Sequence, residues 1–489
     1  MKIGKAMKKA VSVLLISSMG LSLAACGGAS SASGDAKSDV SNDVKSDSSE
    51  KLTKLDTSEG MKPSEPVKIT FWHSASGSNG EALDRLVDEY NAGQGKENGV
   101  SLEAIFQGPY DDASTKLSAV LQADNQRELP DIMQMSAKGI FDVKESKYLY
   151  PVQKFIDADK NGINVDDLNV PALKYGTYMD DILGLPFSNS SAILAYNKEM
   201  FKEAGINPDI YPETISQMAD YIEKLTQRDG DKIKVFGLGT KIRLFLLSTW
   251  IPMQGEDKSI FDNENGRGGT PTEIQMTKDG SLKKFLQEWQ KVAETGSVDY
   301  QQLSPIEGFQ AEEYAMCMLS TSNLSKIYSS IQDPGTFDVG ICELPRVDDE
   351  SNPGTSVGGS AVYTFDKGDS DKLLGAWDFL KYLATPEVSA QWFMETGYYP
   401  MNNKAFELPE TTEFMEEKPL FNIVKEINEK STEYPDYFEP WIPSLTDIDT
   451  NIQDELIKFT EGSQDIDATI SAIDEKSDQL LQDYNDSNF

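Results

Sequence analysis

Apolar and polar residues follow one another in a regular pattern from residue 67 onward. Residues 67–71 alternate and are rich in β-branched side chains, which predicts a strand. Apolar side chains recur at helical spacing over 81–91 and 112–123, and further strands are predicted over 100–106 and 131–135. This β-α-β-α-β order is typical of an α/β protein whose mostly parallel sheet is covered by helices.

In sheets of this kind, ligands lie beyond the carboxyl ends of the strands. Here those ends are the short segments 72–74, 107–111 and 136–137. Side chains in them that can stack or hydrogen-bond are therefore candidate ligand contacts. They are Trp72, His73, Ser74, Tyr110, Asp111 and Ser136.

The chain then leaves this sheet. Residues 184–191 form a polar, proline-containing segment that runs directly into the apolar strand 192–196, after which helical patterns resume. We interpret this segment as a crossing into a second lobe. The glycine-rich segment 356–361 predicts a return, and residues 397–400 predict a third crossing.

The first 66 residues have a different composition. Four lysines precede an apolar run over 11–23, which is typical of a secretory signal peptide over residues 1–25. Leu23-Ala24-Ala25-Cys26 resembles the lipobox of bacterial lipoproteins, which implies acylation of Cys26 and a chain held on the outer face of the cell membrane. An ordinary signal peptide with an incidental cysteine is the alternative. Residues 26–66 are rich in Ser, Asp, Lys and Gly and predict a disordered tether.

Length and charge limit the partners. A chain of 489 residues is too long for a single core. Its net charge of −36 repels nucleic acid and anionic lipid, so neither is an expected partner. Beyond the leader, no apolar stretch is long enough to cross a bilayer. We expect a monomer that contacts the membrane only through its N-terminal lipid.

The two remaining cysteines and a calcium-like loop are both interpreted as structural features. Cys317 and Cys342 lie in apolar runs and are interpreted as buried thiols, because nothing else indicates a disulfide framework. Asp157, Asp159 and Asn161 match the start of a calcium loop, but Leu168 stands where the last ligand should be a glutamate. A surface turn is therefore favoured there, and no cofactor is expected.

Several segments, in this order and spacing, resemble family 1 extracellular solute-binding proteins, the sugar receptors of ABC importers, and within them the glycerol-3-phosphate-binding branch. The segments are Phe71-Trp72-His73-Ser74, Gln107 to Asp111, Leu185 to Lys198, Gly358-Gly359 and Thr396 to Pro400. The resemblance implies the two-lobed type II fold of maltose-binding proteins, with ligand in a hinged cleft and a membrane permease as partner. The implied lobes are 67–187 with 361–396, and 189–357 with 398–489.

Carried over position by position, the resemblance implies ligand contacts at Tyr110, Ser190, Ser320, Gly359 and Tyr398. Trp250 stands in a polar setting and is a further aromatic candidate, with core packing as the open alternative. His73 is the only histidine, so the sequence offers no partner for a histidine-based metal cluster.

Two positions depart from the glycerol-3-phosphate branch. Its hydroxyl-binding glutamate falls on Ala137, and its phosphate-binding arginine falls near Asp449. No Lys or Arg lies between Lys430 and Lys458 to replace that arginine. Because a buried phosphate needs such a partner, the sequence predicts a neutral mono- or oligosaccharide. A glycerol-3-phosphate or glycerophosphodiester receptor is the alternative.

An enzyme is the less favoured class. A surface glycoside hydrolase would use two carboxylates, and no acid pair is singled out by the pattern. The sequence therefore predicts a binding protein without catalysis.

Overall fold

Two six-stranded sheets, each packed against helices, form the architecture. The structure is a computed structural model that describes residues 52–300, 304–434 and 437–488. The predicted signal peptide and Cys26 lie outside the described residues, as does the first part of the predicted tether.

The first sheet contains the pattern predicted from residue 67 onward. Val67–His73 pairs in parallel with Val100–Phe106 on one side and Ile132–Met135 on the other. Ala361–Phe365 returns to this sheet and runs antiparallel to Ile132–Met135. The short strands Leu149–Tyr150 and Leu185–Pro186 complete it. The predicted α/β class and the parallel pairing of the first three strands are confirmed.

The second sheet is built around the fully buried strand Ala192–Asn197. Its other strands are Tyr314–Ser320, Val339–Glu343, Lys232–Gly239, Val298–Asp299 and Gln227–Asp229. Both neighbours of the central strand run antiparallel to it.

Cys317 and Cys342 lie on either side of that central strand. Cys317 is opposite Ala195 and Cys342 is opposite Leu194. Because successive strand residues point to opposite faces, the two thiols face different sides of the sheet. Both are free and buried, as predicted, and burial raises the pKa of each thiol.

Helices pack against both sheets. Their bounds are Gly77–Ala92, Gln94–Asn98, Tyr110–Gln122, Ala137–Ile140, Val152–Ala158, Val170–Tyr175, Lys198–Glu203, Ile215–Leu225, Leu244–Trp250, Ser281–Glu294, Pro305–Gln310, Leu324–Ile327, Ser370–Leu383, Pro386–Thr396, Pro409–Glu417, Asn422–Ser431, Leu445–Thr460 and Ile466–Asn488. Asp262–Gly266 forms a short left-handed turn. Within the described part of the chain, none of the helices is long and apolar enough to cross a membrane.

The three segments predicted to cross between the lobes are hydrogen-bonded to one another. Ser190 and Gly358 exchange two backbone bonds, of 3.1 and 2.9 Å. The Phe187 amide donates to the Ser360 carbonyl at 3.1 Å, and the Tyr399 amide donates to the Asn189 carbonyl at 2.8 Å. The three segments, 184–191, 356–361 and 397–400, are therefore connected through their backbones between the two sheets, and together they are called the crossing layer.

Residues 52–66, which were predicted to belong to the tether, instead pack against the first sheet and the residues that follow its strand Ala361–Phe365. The Thr53 amide donates to Asp366 at 2.6 Å, and the Ser64 hydroxyl donates to Asp371 at 2.9 Å. Three apolar side chains in this polar stretch pack on the core of the first sheet: Leu52, Leu55 and Met61. Average composition missed them because they are few and widely spaced.

The calcium-like turn is tied to a helix. Asp159 accepts hydrogen bonds from the Trp377 indole at 2.8 Å and from Lys381 at 3.4 Å, both on Ser370–Leu383. Asp157 accepts one from Gln153 at 3.0 Å. Among the residues that the structure describes, no group of three or more His, Cys, Asp or Glu is placed to hold a metal ion.

Candidate functional site

A buried glutamine joins the carboxyl end of the first sheet to the crossing segments. Gln134 lies in Ile132–Met135, where apolar neighbours on both sides hold it in the sheet. Its carbonyl oxygen accepts from the Ser74 amide at 3.1 Å. Its Nε2 lies within hydrogen-bonding distance of the Tyr110 and Ser360 hydroxyls, at 3.1 and 2.9 Å. Gln134 therefore brings two predicted site residues and one crossing together.

Tyr110 is the first residue of the helix Tyr110–Gln122. Its hydroxyl also lies 3.2 Å from the Ser360 hydroxyl, which donates to the Phe187 carbonyl at 2.7 Å. Burial raises the pKa of Tyr110, and the nearby Tyr398 hydroxyl raises it further. The phenol is therefore neutral and can both donate and accept.

Gly359 occupies a position that only glycine fits. Its φ is +102°, and a Cβ there would lie 2.2 Å from the Ser188 carbonyl oxygen. Its amide donates to the Glu439 carboxylate at 3.2 Å, and its carbonyl accepts from the Tyr175 hydroxyl at 2.9 Å. Together with Ser190, which pairs with Gly358, Gly359 lies at the centre of the crossing layer.

Glu439 places a carboxyl group against this layer. Burial raises its pKa to about 7, and Asp449 adds to that rise. Arg243 and Lys138 act in the opposite direction. The group is thus partly ionised near neutral pH. Sequence reasoning missed it, although a glutamate between Phe438 and Pro440 is an unusual charge in an apolar run.

Tyr398 connects elements of both sheets. Its ring stacks on Trp392, with centroids 5.9 Å apart and planes at 6°. Burial raises the pKa of its hydroxyl, while hydrogen bonds with Ser322 and Asn79 lower it. The Ser322 hydroxyl is 2.9 Å from the hydroxyl of Ser320, at the end of Tyr314–Ser320. Asn79 belongs to the helix that follows the first strand.

Three buried polar atoms at the first-sheet edge have no hydrogen-bond partner among the described residues. They are Nδ1 of His73 and the hydroxyls of Ser74 and Ser136. Burial lowers the pKa of His73, so its imidazole is neutral. Buried polar atoms of this kind require a partner. A ligand with hydroxyl groups would supply both donors and acceptors for them.

The other aromatic and acidic candidates differ in exposure. Trp72 is buried, with the Lys116 ammonium 4.8 Å from its ring centroid. Asp111 is exposed and lies 3.5 Å from Lys138. Trp250 is 0% exposed: its indole donates to the Pro345 carbonyl at 2.9 Å and its ring stacks on that of Phe285. The prediction of a ligand contact at Trp250 has no support here, because the ring is enclosed in the core.

Asp449, where the resemblance placed a missing arginine, has defined partners. One oxygen accepts from the Leu244 amide at 2.9 Å. The other oxygen lies 3.9 Å from the Lys138 ammonium. Lys138 belongs to the short helix after the first-sheet strand Ile132–Met135, whereas Asp449 belongs to the helix Leu445–Thr460. This ion pair spans the space between elements of the two sheets.

A buried arginine from a distant segment lies beside the crossing layer. The Arg267 guanidinium is centred 4.3 Å from the Phe438 ring and 4.2 Å from the Trp441 ring. Its Nη2 donates to the carbonyls of Tyr175 and Glu439, each at 3.2 Å. Burial lowers the pKa of Arg267 to about 10, so it remains a cation at neutral pH.

Two α/β halves that meet at a layer of polar, partly unpartnered groups define a two-lobed binding protein. The family model of bacterial extracellular solute-binding proteins matches residues 85–422, and the chain belongs to that family.

Known proteins agree with this assignment. The chain is 28% identical to the sn-glycerol-3-phosphate-binding periplasmic protein UgpB of Pectobacterium atrosepticum, over 86% of this chain and 92% of the relative. Its fold is similar to that of the cyclic alpha-maltosyl-1,6-maltose binding protein of Arthrobacter globiformis, with a TM-score of 0.67, 21% identity and coverage of 86% and 100%. It is also similar to UgpB of Mycobacterium tuberculosis in complex with glycerophosphocholine, with a TM-score of 0.68, 18% identity and coverage of 86% and 99%. The maltose-binding-protein-like fold is thereby confirmed.

Proposed function

We propose that this chain is the receptor of an ABC importer and binds a carbohydrate or related polyol at the crossing layer. The observation that carries the proposal is the set of neutral groups around Gln134. Tyr110 and Ser360 are hydrogen-bonded to it, and His73, Ser74 and Ser136 have buried polar atoms without partners among the described residues. Hydroxyl groups of a ligand both donate and accept, as this set requires.

These groups belong to the first sheet and its adjoining segments, whereas Ser320 and Ser322, beside Tyr398, lie at the end of a strand of the second sheet. A site that includes both sets supports a closing motion. A ligand that contacts both lobes stabilises the closed form, and a membrane permease can distinguish that form from the open one. In this proposal Cys26 carries a lipid that holds the receptor at the outer face of the cell membrane. The protein has no catalytic step of its own.

A second candidate ligand is glycerol-3-phosphate or a glycerophosphodiester. Two similar proteins bind ligands of this kind, glycerol-3-phosphate and glycerophosphocholine, and the Arg267 guanidinium supplies a cation for a phosphate group. The argument for a neutral sugar rested on the lack of a cation between Lys430 and Lys458. Arg267 supplies a cation beside Phe438, Glu439 and Trp441, within that stretch, from a different part of the chain.

The test is thermal unfolding of residues 26–489 carrying Cys26→Ser, with a panel of mono- and oligosaccharides, sn-glycerol-3-phosphate and glycerophosphocholine. A ligand at a hundred times its Kd adds about 2.7 kcal/mol to the free energy of unfolding. We expect at least one compound to raise the midpoint.

Gln134→Leu should abolish that rise, whereas Gln391→Leu, on the helix Pro386–Thr396, should retain it. Equal rises in both variants would place the ligand elsewhere. No rise with any compound of the panel would contradict the proposal.

A further inference from the structure

The Arg267 side chain has donors that the protein does not use. It is 5% exposed, and its Nε and Nη1 have no hydrogen-bond acceptor among the described residues. Within the residues that the structure describes, no carboxylate forms a salt bridge with the Arg267 guanidinium. A buried guanidinium ordinarily has its donors paired, because an unpaired buried donor loses the bonds it would make to water.

The backbone before Arg267 adopts an unfavourable conformation. Asn263, Glu264 and Asn265 have φ values of 50, 55 and 53°, a left-handed turn that residues other than glycine rarely form in succession. The turn is fixed by side chains: Asn265 accepts from the Phe261 amide at 2.8 Å, and Asp262 accepts from the Thr272 amide at 2.8 Å. Strained turns that the surrounding structure holds in place are concentrated at functional sites.

This turn packs closely against Trp441, next to the crossing layer. The Trp441 amide donates to the Asn265 carbonyl at 2.8 Å. A Cβ on Gly266 would lie 1.8 Å from the Trp441 carbonyl oxygen, so only glycine permits this approach. The guanidinium is thereby held between Phe438 and Trp441.

The Glu439 carboxyl acts on Arg267 electrostatically, but other polar groups around the guanidinium have donors without an acceptor among the described residues. The indole nitrogen of Trp441 and the hydroxyl of Tyr363 are buried without a partner among the described residues. Arg267 lies close enough to Tyr363 for the two groups to interact electrostatically. Arginine and tryptophan side chains donate and do not accept, so a shared partner has to be an acceptor, and an anion satisfies several such donors at once.

We infer that Arg267 binds an anionic group of the ligand, either a phosphate ester or a carboxylate, and so determines ligand specificity. The inference rests on the proposed receptor function. The Tyr175 hydroxyl lies beside this position and bonds the Ala137 amide at 2.7 Å and the Gly359 carbonyl at 2.9 Å. The anionic group would therefore lie next to the hydroxyl-binding groups around Gln134. Because an aspartate, Asp449, stands where the glycerol-3-phosphate branch has its arginine, the cation in this chain would come from another element.

The experiment is titration calorimetry of residues 26–489 carrying Cys26→Ser, with sn-glycerol-3-phosphate, glycerophosphocholine, the sugar carboxylate glucuronate, inorganic phosphate and neutral maltose. We expect Arg267→Gln to weaken binding of the phosphate ester at least a hundredfold and Arg267→Lys to recover part of that loss. Arg346→Gln is the matched control, because Arg346 also donates to two carbonyls, those of Asp349 and Ser351. It should leave the Kd within about twofold of the parent.

Unfolding of each variant in urea separates binding from folding. If Arg267→Gln fails to fold, Arg267→Lys alone decides, and an unchanged ratio of ester to inorganic phosphate affinity in it would overturn the inference. Binding of maltose but of no anion would overturn the role of Arg267 and leave the receptor function intact. Inorganic phosphate that binds as tightly as the esters would indicate a free-ion site and would also overturn it. Absence of binding by the whole panel would contradict both proposals.

Discussion

Glu439 gives the most direct electrostatic prediction. The carboxyl group faces the Gly359 amide, with Asp449, Arg243 and Lys138 as its charged neighbours. Its pKa rises from 4.5 to about 7, mainly through burial. Between these values the folded protein holds a proton that the unfolded chain has released. The free energy of unfolding therefore falls as pH rises through this window, and the contribution is fully present below the unfolded value and lost above pH 7.

The size of the effect follows from the shift. One pKa unit corresponds to about 1.4 kcal/mol, so a rise from 4.5 to about 7 amounts to at most about 3.5 kcal/mol. Glu439→Gln carries no titrating group and should lack this component. The assay is urea unfolding of both proteins between pH 4.5 and 8, and the difference between their free energies of unfolding is plotted against pH.

Glu103→Gln serves as the control for that measurement. Glu103 lies in an exposed ion pair with Lys68 on the first sheet, and pairs of this kind contribute little. Its difference curve should be nearly flat. A flat curve for Glu439→Gln as well would refute the reasoning, because it would mean that the Glu439 carboxyl remains solvated in the folded protein.

Two further substitutions test the crossing layer. Tyr398→Ala should weaken ligand binding about five- to thirtyfold, because loss of one stacking ring removes roughly 1–2 kcal/mol. Calorimetry with Tyr398→Phe as control measures it, and an unchanged Kd would remove Tyr398 from the site. Gly359→Ala should lower the free energy of unfolding by about 2 kcal/mol or more, because it combines a φ of +102° with a contact at 2.2 Å. Gly296→Ala, at φ +58° and with nothing near its Cβ, isolates the backbone term in the same urea titration, and equal losses in the two variants would show that the contact is relieved.

The elements of the first sheet were predictable because each obeys a local rule. The period-two pattern of Val67–His73 and the helical pattern of the following segment need no information from elsewhere in the chain. The buried thiols were predictable for a similar reason, since Cys317 and Cys342 stand in apolar runs. The implied contacts at Ser190, Ser320 and Tyr398 came from resemblance and remain predictions.

The remaining features depend on contacts between distant residues. The sequence left Trp250 between a ligand contact and core packing. The Ser248 and Thr249 side chains that precede it bond the Leu244 carbonyl and Ser356, and the helix is buried. Gln134 gains its role only where Ser360 returns to the sheet. Arg267 lies 172 positions from the Glu439 carbonyl that it bonds, so no local window contains both.

The paired bonds between Ser190 and Gly358 have a mechanical consequence. Two segments that exchange backbone hydrogen bonds form a narrow ribbon, which bends across its flat face but resists sliding along its length. The Asn189 carbonyl ties the third segment to the same ribbon through Tyr399. We therefore expect relative movement of the two halves to be mainly a rotation about this ribbon, and a ligand that touches both halves would arrest that rotation.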